Sequence, residues 1–92
     1  MNIVPASLVE VTAGRDKGKF LLVTKVLDEN YVLICDGRRR KVENPKKKKI
    51  KHLRTLCYSL KSIKEKLDLG IEINNSQVRK SIREGLIELK IL

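Results

Sequence analysis

The chain opens in a pattern of short strands. Val9 and Val11 alternate with Glu10, which puts the two valines on one face of an extended segment. That segment gives way to Ala13-Gly14-Arg15-Asp16-Lys17-Gly18-Lys19. Two glycines amid charges predict a loop with unusual backbone angles or close approach by something large. Residues 20–27 form an apolar, β-branched run that predicts a second strand. Asp28-Glu29-Asn30 then predicts a hairpin turn, with Asn30 tolerating a left-handed conformation. Tyr31–Cys35 predicts the next strand.

Asp36-Gly37 is the sharpest turn signal in the chain and suits a two-residue type I′ hairpin. That register sets Cys35 opposite Arg38, Leu33 opposite Arg40 and Tyr31 opposite Val42, so Arg38, Arg39, Arg40 and Lys41 ride on a strand. Pro45 closes it. Lys46, Lys47, Lys48 and Lys49 follow as a basic run, and residues 50–57 predict a further strand. Several short strands at close spacing predict a small antiparallel β-barrel.

The period then changes. Leu60, Ile63 and Leu67 fall at helical spacing, with Ser59 as the expected N-cap and Gly70 as the stop. A second helix starts at Asn74, where Gln77 occupies N3 of a capping box and Ile73 and Val78 form a hydrophobic staple. Val78 and Ile82 continue its apolar face. Beyond Gly85 two readings stand: Leu86 and Leu89 extend the helix, or Ile87, Leu89 and Ile91 alternate as a strand. The predicted fold is mainly β with a helical tail. Residues 1–57 form the barrel, and residues 58–92 form two short helices packed on or beside it.

Charge changes the picture most. The 92 residues carry 21 Lys and Arg against 11 Asp and Glu, a net charge of +10. Such an excess costs self-repulsion in a compact chain, and a polyanion relieves it. Nucleic acid is the first candidate, an anionic membrane the second. The excess is local: residues 1–54 carry 14 basic and 6 acidic groups, residues 55–92 only 7 and 5. Three groups dominate, namely Arg15, Lys17 and Lys19 at the glycine loop, Arg38, Arg39, Arg40 and Lys41, and Lys46, Lys47, Lys48, Lys49 with Lys51. A small barrel brings such loops and edges to one end, and each cation that neutralises a phosphate releases condensed counterions. Arginine adds a planar fork for bidentate phosphate contact. The plainer reading of the lysine run is a solvated charge run or a localisation signal.

Other chemistry is thin. The aromatics are Phe20, Tyr31 and Tyr58, too few for a base-stacking platform or an SH3 peptide groove, and Phe20 and Tyr31 sit in apolar runs that point to the core. The glycine loop lacks Walker spacing, and His52 has no evident nucleophile partner. Asp16 reads as a turn former. Cys35 and Cys57 with one histidine make no four-ligand zinc site and read as free thiols of a reducing cytosol. No secretory leader or membrane-spanning run is legible. The expectation is a cytoplasmic, non-enzymatic protein with no cofactor, no metal, no small-molecule substrate and RNA as partner.

The segment Leu8-Val9-Glu10-Val11-Thr12-Ala13-Gly14-Arg15-Asp16-Lys17-Gly18-Lys19, followed by Val23 and Val26, resembles a KOW motif. Its continuation, Leu27-Asp28-Glu29-Asn30-Tyr31-Val32-Leu33 with Asp36-Gly37 and Arg40-Lys41-Val42, is similar to large-subunit ribosomal proteins of the fourteen-e type and their small bacterial relatives. The likeness covers residues 5–54 and departs from many KOW motifs at Leu21, where a further glycine is common. It implies a five-stranded SH3-like barrel that binds ribosomal RNA through its loops, with a translation- or ribosome-associated role. Gly14 is then the motif glycine, Arg15, Lys17 and Lys19 are loop contacts, and Arg38, Arg39, Arg40 and Lys41 form a basic strand. Gly18 and Gly37 serve the turns. Two competitors stand beside it. One is a protein-interaction module of the transcription or translation machinery that uses Leu60, Ile63, Val78 and Ile82. The other is an RNA-processing enzyme, for which no convergent catalytic group is legible. DNA is a lesser version of the RNA reading, since no recognition helix is evident.

Overall fold

A computed structural model describes residues 3–92. Five strands form one antiparallel sheet: β1 (Leu8–Val11), β2 (Phe20–Val26), β3 (Tyr31–Cys35), β4 (Lys46–Lys49) and β5 (Leu53–Cys57), in the order β4-β3-β2-β1-β5. Two helices follow, α1 (Lys61–Asp68) and α2 (Asn75–Glu88). The hydrogen-bonded ladder is open, with β4 and β5 as its edges. A single 3₁₀ turn, Ile50–His52, joins those two edges. In a flat sheet, four strand spacings would hold them about 19 Å apart. The chain from Lys49 to Leu53 reaches at most about 14 Å. The sheet therefore curls, helped by irregular pairing at Leu8/Val9 and between Val23 and Lys25.

Both faces of the curled sheet are covered. Val9, Val11, Leu21, Val23, Val32, Ile34 and Leu53 point into the concave side with Ile3. Their neighbours Leu8, Leu22 and Cys35 point outward and meet Leu60, Ile63, Ile73, Val78, Ile82 and Leu86 of the helical segment. Alternate side chains of a strand face opposite ways, so a strand buried on both faces reads as a continuous apolar run. That is why residues 20–23 showed no polar alternation. At Gly85 an added Cβ would lie 2.9 Å from Leu60 Cδ2 and 3.1 Å from Leu8 Cδ2, so the missing side chain lets α2 approach the sheet.

Several local expectations change. β3 pairs with the lysine run, not with the arginines: Tyr31 faces Lys49, Leu33 faces Lys47 and Ile34 faces Lys46. The two-residue hairpin at Asp36-Gly37 is absent, and residues 36–45 form one loop. Asp36 Oδ1 accepts from the backbone N–H groups of Arg38 (2.8 Å) and Arg40 (3.0 Å), which tightens the chain locally without extending it. Likewise Asp28 Oδ1 accepts from the N–H groups of Asn30 and Tyr31, and Asn30 is not left-handed. The predicted strand over residues 50–57 begins with the 3₁₀ turn. The N-cap of α1 is Leu60, without a side-chain hydrogen bond, rather than Ser59. α2 has the full Asn74–Gln77 capping box and runs as helix to Glu88, so the strand alternative after Gly85 does not form.

Candidate nucleic-acid interface

The loop between β1 and β2 closes on itself. Val11 N–H donates to Lys19 O, Gly18 N–H to Val11 O, and Lys19 N–H to Asp16 O. Gly14 and Gly18 take φ values of +90° and +88°, a region that side chains disfavour. The His52 carbonyl accepts from Thr12 N–H at 2.8 Å and ties this loop to the 3₁₀ turn.

The loop buries one charge, Asp16, which is 7% exposed. Its carboxylate lies 3.4 Å from Lys19 Nζ, from Arg40 Nη2 and from Lys46 Nζ. Each partner comes from a different basic stretch, so a single acid draws the glycine loop, the arginine loop and β4 onto one side. Lys48 adds a fourth cation there, donating from Nζ to Ala13 O at 3.1 Å. Burial alone would push the Asp16 carboxyl up. The hydrogen bond from Lys19 and the charges of Lys46 and Arg40 outweigh it and hold the group below the ordinary carboxylate value. The cations outnumber this one acid, which leaves capacity for an external anion.

The other predicted residues divide. Arg15 and Lys17 are exposed on the glycine loop, and neither makes an ion pair among the described residues. Arg38 and Arg39 are exposed on the arginine loop, and Lys41 is exposed beyond Arg40. Along β4 the side chains alternate, so Lys46 and Lys48 turn to the glycine loop while Lys47 lies over the Tyr31 ring, 4.4 Å from its centroid. Lys49 and Lys51 are exposed near the turn between β4 and β5. His52 is half-buried there. Desolvation, reinforced by Lys48, Lys51 and Lys49, pushes its imidazole below the ordinary value. The lysines of β4 also protect an open sheet edge from pairing with another chain.

The helices hold the arginine loop in place. Arg79 donates from Nη1 to Gly37 O, Asn75 Oδ1 accepts from Val42 N–H at 2.8 Å, and Asn75 Nδ2 donates to Glu43. Sequence reading missed this clamp, and it missed Asp16 as a hub. It also missed Arg79, Lys80 and Arg83, which line a groove shared with Lys19 and Arg38. Their spacing on one helix was the available signal. Cys35 and Cys57 are free thiols, and burial, with Asp36 and Glu43 nearby, pushes Cys35 up to about 12. Among the described residues no group of metal-ligating side chains forms, and no helix is long and apolar enough to cross a membrane. No model of a known protein family matches the chain.

Proposed function

We propose that this protein is a non-enzymatic RNA-binding module of the cytoplasm that holds the phosphate backbone of structured RNA, ribosomal RNA first among its candidates. The observation that carries the reading is the Asp16 carboxylate shared by Lys19, Arg40 and Lys46. A platform of cations held in advance loses less freedom on binding than flexible side chains do. Arg15, Lys17, Arg39 and Lys48 then supply further phosphate contacts around it. The sheet order, with edges joined by one 3₁₀ turn, is compatible with an SH3-like barrel of the KOW kind, and the ribosome- or translation-associated role rests on the KOW resemblance of residues 5–54.

The competing reading, a protein-interaction module, was to use Leu60, Ile63, Val78 and Ile82. All four are buried in the core between sheet and helices, which favours the RNA reading. The test is binding of the whole chain to ribosomal RNA fragments across a salt series. Six phosphate contacts give a log–log slope of about −5 on duplex DNA and a shallower one on single strands. A slope near zero, with affinity intact, would transfer the role to protein contacts.

A further inference from the structure

We propose that the groove between the glycine loop and α2 seats a single unpaired nucleotide of the RNA held at the Asp16 platform. The inference rests on the RNA reading and adds to it a class of ligand site. The groove is open to solvent along its length and offers about 900 Å³, room for a nucleotide. Lys19 and Arg38 stand on one side of it, and Arg79, Lys80 and Arg83 on the other. Asp36 is the one acidic side chain among the described lining residues, and the N–H groups of Arg38 and Arg40 already occupy its Oδ1. Lys19 is shared with Asp16 and Arg79 with Gly37 O, so Arg38, Lys80 and Arg83 are the cations that select an anion here.

The lining is not only charged. Phe20 and the exposed Leu92 contribute apolar surface to the same groove, over a floor formed by the buried Ile82 and Leu86. Phe20 is half-buried, so part of its ring remains open to a partner. Cations around an apolar, partly aromatic wall match a nucleotide, whose base is flat and apolar on its faces and whose phosphate is anionic. A paired stem keeps its bases stacked, so only an unpaired base can enter. Continuity points to RNA rather than an acidic peptide, because Lys19 both lines the groove and contacts Asp16 in the phosphate platform. The hydrogen bond of 2.7 Å from Arg79 to Gly37 O holds the two sides at a set distance before any ligand arrives.

The test compares two RNA stems of equal length, one fully paired and one with a single bulged nucleotide. Wild-type protein should bind the bulged stem about tenfold more tightly, within the range that stacking of one base supplies. The double variant Lys80→Ala/Arg83→Ala alters two exposed side chains, so circular dichroism should show an unchanged fold. It should bind both stems somewhat more weakly and lose the preference, its ratio of bulged to paired affinity falling to about one. Phe20→Leu should lower the preference in the same direction. Equal affinity of wild type for both stems overturns the groove and leaves the RNA reading standing. No binding to either stem at low salt overturns both. If a short polyglutamate peptide binds wild type but not the double variant, and the stems do not discriminate, the groove belongs to an acidic protein segment and the proposal fails.

Discussion

Arg79 on α2 donates from Nη1 to the backbone carbonyl of Gly37, 2.7 Å away and 42 positions earlier in the chain. Gly37 sits at φ +78°, and an added Cβ there would lie 2.4 Å from Asn75 O. Backbone geometry and helix packing thus both require glycine at the base of the arginine loop. The helical tail is in this sense a part of the basic surface, since it decides where Arg38, Arg39 and Arg40 stand.

Gly37→Ala should therefore destabilise the fold by about 3 kcal/mol, combining a disfavoured φ with a collision against a helix carbonyl. Arg79→Ala should cost about 1.5 kcal/mol, the usual loss for a hydrogen bond from a charged donor. Urea denaturation measures both. Hydrogen exchange adds a local readout, because in Arg79→Ala the amides of residues 37–42 should exchange faster while those of β1 and β2 keep their protection. Uniform loss of protection would mean that the clamp serves the whole fold rather than this loop.

Asp16 predicts a pH dependence. Its folded pKa lies below the unfolded value, so the folded chain binds this proton less readily. The stabilisation is complete above about pH 4, the unfolded carboxylate value, and is lost as pH falls through the lower folded value. Asp16→Asn should reduce stability at pH 7 by about 1 kcal/mol, a modest figure because its three partners are partly exposed and screened. The acid limb of the stability profile should flatten in the variant. A profile parallel to wild type from pH 7 to pH 3 would show that Asp16 is not the linked group.

The lysines of β4 should not be equivalent. Lys48 faces the glycine loop and keeps donors free beyond its bond to Ala13 O, whereas Lys47 lies over Tyr31. Lys48→Ala should make the log–log salt slope of RNA binding shallower by about 0.7 to 0.9, the loss of one phosphate contact. Lys47→Ala should leave that slope unchanged. Equal effects of the two substitutions would indicate a diffuse attraction to the whole strand.

Features set by near neighbours were legible in the chain itself. The Asn74–Gln77 capping box spans three residues, and its two hydrogen bonds need no distant partner. The strands β1, β2 and β3 and the glycine loop follow in the same way from apolar runs and glycine spacing. Leu60 rather than Ser59 stands at the cap, its N–H held by Ala6 O far back in the chain and its carbonyl accepting from Lys64 N–H. Lys46–Lys49 did not read as a strand because lysine has little intrinsic β preference, and only pairing with β3 makes it extended.

What the amino-acid order determined alone, then, is β1 to β3, the glycine loop, the capped start of α2 and the basic excess, since propensity, capping and charge act over a few residues. Tertiary structure decided which cations meet. The 24 and 30 positions that separate Asp16 from Arg40 and Lys46 are closed by a curled sheet and a docked helix. No local pattern encodes such a distance, because it depends on how buried apolar faces on both sides of the sheet pack.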